Sequence, residues 1–176
     1  MTLPLPTLEH VFDVEVLLGE IEDHGMTRAG HRRIIPIVGG SIRGRIGGAL
    51  GGAFDAAPGG VRGGSDDVLV AEILPGGADW QVVRADGSIE IDGRYSASTP
   101  EGELLYLHAT GIRSGPPEVL EALLRGEPVD PSDYYFRTTV SIETSSPRLA
   151  VLQCALYVAV AERAASTVRY ATYRLS

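Results

Sequence analysis

Leu74-Pro75-Gly76-Gly77-Ala78-Asp79-Trp80-Gln81 joins two apolar runs, residues 68–74 and the run that begins at Gln81. Gly76-Gly77 is turn chemistry, because only glycine takes up positive φ without steric cost. The stretch therefore reads as a hairpin turn ending in an acid, the chain's one Trp and an amide. A hairpin makes the flanking runs antiparallel strands, and the rest of the chain extends that reading.

From Asp67 the pattern is regular. Residues 68–74, 81–84, 88–96, 104–110, 134–143, 149–161 and 168–175 read as strands, with short turns at 75–78, 85–87 and 100–102. Asp86-Gly87 is a strong hairpin signal. Residues 149–161 have a composition that also suits a helix. Their neighbours, together with Val151, Tyr157, Val158 and Val160, favour a strand. Upstream, residues 11–18 place Phe12, Val14, Val16 and Leu18 on one strand face. Residues 32–38 form a short strand whose Pro36 puts it near an edge or bulge. Residues 20–30 are polar and punctuated by Gly, as in a loop. Residues 116–126 give the one clear helix, with Val119, Leu120, Leu123 and Leu124 on one face and Gly126 ending it. Many short strands joined by tight turns predict an all-β fold with one short helix. Closing such an antiparallel sheet into a barrel removes its exposed edges.

Residues 42–64 stand apart, dominated by Gly and Ala with no sustained period. They read as a flexible insertion, or as a mobile lid or an oligomer contact. The Gly-Lys-Ser/Thr ending of a phosphate loop is missing there.

A chain of 176 residues fits one domain, with 44% hydrophobic and 22% charged residues, as in soluble globular proteins. A net charge of −8 and a pI near 4.9 argue against nucleic-acid binding, which needs a basic face. The single Cys154 excludes an internal disulfide and fits a reducing compartment; its apolar neighbours predict a buried, inert thiol. With no signal-peptide pattern and no bilayer-spanning apolar run, the expected location is the cytoplasm, away from membranes.

Polar residues recur along the strands. Glu90, Asp92 and Arg94 share a face, as do Tyr106 with His108, and Tyr135, Arg137, Thr139, Ser141 with Glu143. Each row either meets solvent or lines a wet cavity. The mixture of polar and aromatic side chains turns the reading toward a cavity for Arg94, His108 and Arg137. Arginine beside tyrosine suits capture of a carboxylate, enolate or phenolate, because guanidinium presents a planar fork of donors. The four histidines have no ligand spacing, and no hydrolase or metalloprotease motif occurs. No metal and no cofactor are expected.

Five segments carry a resemblance to a known family. They are Arg32-Arg33-Ile34-Ile35-Pro36-Ile37-Val38-Gly39-Gly40, the 74–81 stretch, Asp86-Gly87, Gly93-Arg94-Tyr95, and Tyr134-Tyr135-Phe136-Arg137-Thr138. Together they closely resemble the DUF3237 (UPF0311) family, from about residue 8 to residue 175. The resemblance implies a calycin- or lipocalin-like barrel of unassigned general function. It also implies that the 45–66 insertion departs from the family's short link.

The family motifs fall on Asp79, Trp80, Arg94, Tyr95, Tyr135 and Arg137. An architectural reading has Asp79 capping its turn, Trp80 plugging a barrel end and the arginines pairing with acids. A site reading places them at one barrel mouth. Trp80 stacks on an apolar ligand, Asp79 is a general base, and Arg94 and Arg137 with Tyr135 stabilise an oxyanion. Tyr95, Tyr106 and His108 complete the lining. That set points to a cofactor-independent cyclase, isomerase or lyase acting on an enolisable, polyketide- or terpenoid-like metabolite. The alternatives are a non-catalytic binding or carrier protein and a structural homo-oligomer. The expected partners are a small molecule and further copies of the chain, as a homodimer or larger assembly.

Overall fold

The computed structural model describes residues 5–46 and 68–176. The strands are β1 (Leu8–Leu18), β2 (Glu22–Thr27), β3 (Gly30–Arg45), β4 (Val68–Ile73), β5 (Gly77–Val83), β6 (Ile89–Ser98), β7 (Leu104–Ser114), β8 (Tyr135–Thr144), β9 (Leu156–Arg163) and β10 (Thr167–Leu175). The helix α1 spans Pro117–Leu124, starts on a proline that needs no helical partner, and buries Leu120 and Leu123. No helix among the described residues is long and apolar enough to cross a membrane.

All pairings are antiparallel. β1 pairs with β10 on one side and with β3 on the other, which closes the sheet into an eight-stranded barrel. Two of the eight lines are broken strands. β4 and β5 lie in series between β3 and β6, while β1 and β2 lie in series along β3. The 74–76 turn therefore interrupts one line instead of reversing it, and Ala78 to Gln81 belong to β5. The hairpin expected there is replaced by a kink, with Gly76 at φ 108 and its amide donating to the Ile37 carbonyl at 3.3 Å. Gly77 is needed for a different reason. A Cβ there would lie 2.5 Å from the Arg94 carbonyl oxygen and 2.6 Å from the Tyr95 Cβ.

Several boundaries differ from expectation. Residues 20–30 hold β2, which is polar because it extends past the barrel rim and is mostly exposed. β3 is long and central, not short, and Pro36 lies beside a bulge, where the register with β1 shifts between Ile37 and Gly39, and not at a sheet edge. Pro36 is tolerated because its carbonyl accepts from Gly19 at 2.8 Å, so its missing N–H falls at the break between β1 and β2. The first half of 149–161 is no strand. Ala150–Gln153 forms a 3-10 turn that inserts Leu149 and Leu152 into the core. The same turn pushes Cys154 outward, so its thiol is exposed and not buried. The insertion expected at 45–66 lies outside the described residues except for Arg45 and Ile46. Its flanks, Arg45 and Val68, stand at the barrel end opposite α1.

Alternate residues fill the interior. Phe12, Val14 and Val16 of β1, Ile89, Ile91 and Tyr95 of β6, and Leu105, Leu107 and Ala109 of β7 are all buried in one cluster. α1 covers one end. Gly87 of the β5–β6 turn sits beneath Leu120, and Gly126 sits against Ala165 of the β9–β10 turn. Residues 145–155 cover the other end and are tied down by Glu103. The Glu103 carboxylate accepts from Ser146 Oγ at 2.6 Å, Thr99 Oγ1 at 3.1 Å and Arg148 Nε at 3.1 Å.

Gly77→Ala should lower stability by about 2 kcal/mol, the order expected for overpacking. Urea unfolding should show a lower midpoint at unchanged slope. The Glu103 pin gives a second test. Arg148 first, then Ser146 and Thr99, hold the Glu103 carboxyl down at about 2. Because the folded pKa is depressed, the stabilisation is complete above the ordinary value of 4.5 and disappears as pH falls toward about 2. Glu103→Gln should flatten the acid limb of a melting-temperature profile across that window. An unchanged acid limb would show that the pin contributes nothing.

Candidate functional site

The parity of each strand decides which side chains can meet. On β5, Asp79 and Gln81 point inward and Trp80 points outward. Of the eight residues expected to form one mouth, Asp79 and Tyr95 are brought together inside the barrel. Trp80, Arg94, Tyr106, His108, Tyr135 and Arg137 lie on the outer face. There the Arg94 guanidinium stands 5.9 Å over the Trp80 ring and forks onto Asp92 at 2.9 and 3.0 Å. His108 Nε2 is 2.8 Å from the same carboxylate. Arg137 stands 5.1 Å over the Tyr135 ring, along an open outer groove. The expectation that Arg94, Arg137 and Tyr135 face Asp79 across a cavity is corrected accordingly. Beside them Tyr95, Phe136 and Thr138 point inward as the more apolar residues, and close packing of the interior selects that register.

The Asp79 carboxylate is held by two neighbours. Gln81 Nε2 donates to Oδ2 at 2.6 Å, and the Asp92 backbone amide donates to Oδ1 at 3.0 Å. The β5–β6 ladder skips from Asp79–Gly93 to Val82–Glu90, so the Asp92 amide is diverted from the sheet to the carboxylate. Burial raises the Asp79 pKa above the usual carboxylate range. The bonds from Gln81 and Asp92 and the charge of Arg113 oppose the rise without cancelling it.

Asp79 lines an interior cavity of about 40 Å³ with Tyr95, Tyr170, Thr138, Phe136 and small residues Gly93, Ala109 and Ala161. Half-buried Leu18 and Val168 mark the side where this cavity approaches solvent. The Tyr95 and Tyr170 hydroxyls are hydrogen-bonded to each other. Burial raises both phenols above their ordinary value, so both stay protonated and act as hydrogen-bond donors. One bond between two hydroxyls uses one hydrogen, which leaves a second for a ligand oxygen.

A polar layer lies between this cavity and α1. Arg33 pairs with Gln81 in register, and Ile89 pairs with Arg113. Arg33 and Arg113 are 8% and 2% exposed, and Arg163 is half-buried beside them. The Arg113 guanidinium stands 5.6 Å over the Phe136 ring. Burial, then the neighbouring charge of Arg163, lowers its pKa to about 10, so it remains a cation at neutral pH. These arginines escaped the sequence reading. Their signal was a charged residue ending an apolar inward row: Arg113 after Leu105, Leu107 and Ala109, and Arg163 after Tyr157, Ala159 and Ala161.

The fold and the site together define a closed antiparallel β-barrel with an acid and a phenol pair in its interior. The chain belongs to the family described as a protein of unknown function, DUF3237, whose profile matches residues 6–175. A UPF0311 protein of Rhodopseudomonas palustris is 38% identical over 165 residues, covering 93% of this chain and 94% of that one. The crystal structure of a protein of unknown function from that organism superposes with a TM-score of 0.81 at 32% identity, over 99% and 100% of the two chains. A β-barrel-like protein from Acinetobacter baumannii gives 0.76 at 36% identity over 99% of each chain. An enzyme from Penicillium herquei shares the fold, with a TM-score of 0.62 at 16% identity over 100% and 99% of the chains.

Asp79→Asn should be more stable than the parent at pH 8, by about 1 kcal/mol for each pK unit of upward displacement. The sign follows from the raised folded pKa: the folded chain prefers the protonated acid, so stability falls as pH rises through that pKa. The gap should close below pH 4. Denaturation at both pH values checks it, and a variant weaker than the parent at pH 8 would refute the electrostatic account.

Proposed function

We propose that the barrel interior carries out cofactor-independent proton transfer on a small enolisable carbonyl compound, as in isomerisation, elimination or cyclisation. The observation that carries this reading is the buried Asp79 carboxylate in one cavity with the Tyr95–Tyr170 pair. Asp79 is the general base: its raised pKa moves it toward the operating pH, where a base is most effective. It takes the proton α to the carbonyl. The C–H electron pair becomes the enolate, and the free hydroxyl hydrogen of the tyrosine pair donates to the enolate oxygen. Return of the proton at another carbon gives isomerisation. Attack of an enolate or phenolate oxygen on a conjugated double bond gives ring closure.

The cavity of about 40 Å³ holds the reacting group only, since pockets for whole drug-sized ligands run to about 300–1,000 Å³. The remainder of a larger metabolite has to lie toward Leu18 and Val168. The same small volume favours a second reading, a barrel that binds without turnover.

The test is exchange of α-protons into D₂O for a panel of small cyclic ketones and β-keto acids, followed by NMR. The parent should exceed the buffer rate, and Asp79→Asn should fall to it. Tyr95→Phe or Tyr170→Phe should cost about 10²-fold, the usual loss for one oxyanion donor. Undiminished exchange in Asp79→Asn would sink the assignment of the base. Binding without exchange in the parent would establish the second reading.

A further inference from the structure

We infer that the polar layer beneath α1 is a binding site for an organic carboxylate, held by Arg113 and Arg33. This deepens the reading of the barrel interior as a ligand site, but it concerns recognition and stands without turnover. Arg113 Nε and Nη1 and Arg33 Nε are buried and have no hydrogen-bond partner. Leaving one buried polar group unpaired costs about 1–3 kcal/mol, and charged groups cost more. Three such nitrogens on two guanidinium groups, in a protein of net charge −8, are a large uncompensated burden.

Charge bookkeeping agrees. Arg33, Arg113 and Arg163 lie within electrostatic range of one another. The carboxylates that offset them among the described residues are Asp79, whose own pKa is raised, and the exposed Asp23 beside Arg33. Asp79 directs both its oxygens to Gln81 and the Asp92 amide, so it makes no hydrogen bond to a guanidinium. The layer therefore keeps a positive excess and a set of free N–H groups. Both are met by an incoming anion.

The surroundings select an organic carboxylate over an inorganic oxyanion. The free nitrogens Nε and Nη1 of Arg113 lie on different edges of one planar group stacked over Phe136, and each offers a donor to an anionic oxygen in that plane. The adjoining cavity is narrow and its walls are mainly apolar, suiting the carbon skeleton of an organic acid. Gln81 Oε1 and Thr138 Oγ1, also buried without partners, accept from a hydroxyl or enol on the same ligand. Half-buried Arg163 lies on the solvent side of the layer.

The test is calorimetric titration and thermal unfolding of the full chain with propionate and with benzoate, at ionic strength fixed with chloride. At least one acid should bind saturably and raise the melting temperature. Sulfate at the same ionic strength should leave it at the chloride value. Arg113→Met should weaken binding at least tenfold while raising the melting temperature without ligand, because it removes an uncompensated buried charge. Arg33→Met provides an independent arm should Arg113→Met fail to fold. Asp79→Asn should bind the acid at least as tightly as the parent, having lost a repelling charge, although proton exchange is abolished. That separates failure of the carboxylate site from failure of the base. No saturable binding by either acid, undiminished binding in the arginine variants, or sulfate matching the carboxylates would overturn the inference.

Discussion

Everything in this fold depends on β1 pairing at once with β10 and β3. That closure converts a strand's two faces into an inside and an outside. It also forces close backbone approaches. Gly40, at φ 140, sits where a Cβ would fall 2.0 Å from the Glu15 carbonyl oxygen, so the β1–β3 seam needs a residue without a side chain. The breaks between β1 and β2 and between β4 and β5 fall on either side of β3. They let one long strand serve two partners on each flank, and Pro36 occupies the point where a donor is not needed.

The barrel itself was readable because its evidence is local. Alternation, Asp86-Gly87 and the apolar face of α1 are each set by neighbours in sequence. The site was readable only in part. Asp79 and Tyr95 were found, and they are inside. Arg94, Arg137 and Tyr135 were assigned inward because arginine beside tyrosine suggests anion capture, yet those contacts form on the surface. Alternation fixes that two rows differ, and the packing of eight strands decides which row turns in. At the 74–81 stretch the glycines misled in the same way. A kink within one line and a reversal between two lines use the same residues, and only the long-range pairing with β3 tells them apart.

The interior is layered in polarity. Toward the Glu103-tethered cap it is mainly apolar, with Phe12, Leu105, Leu107, Leu149 and Leu152 all almost wholly buried, alongside Tyr157, Thr172 and Arg174. Toward α1 it turns polar through Thr138, Asp79 and Gln81 to Arg33 and Arg113. Apolar residues of equal volume at those positions would stabilise the barrel more than buried charges do.

That asymmetry bears on how acid and arginine share one space. Had the Asp79 oxygens bonded Arg113 directly, the pair would neutralise itself, the carboxyl pKa would fall, and neither group would be available to a ligand. Instead Gln81 and the diverted Asp92 amide take the carboxylate oxygens, which leaves the guanidinium donors unspent and lets burial raise the acid. The two charges thus stay separate: burial keeps the proton affinity of Asp79 raised, and Arg113 Nε and Nη1 stay without hydrogen-bond partners. The Gln81–Arg33 register that sets this spacing follows from β5 continuing along β3 past the kink at Gly76.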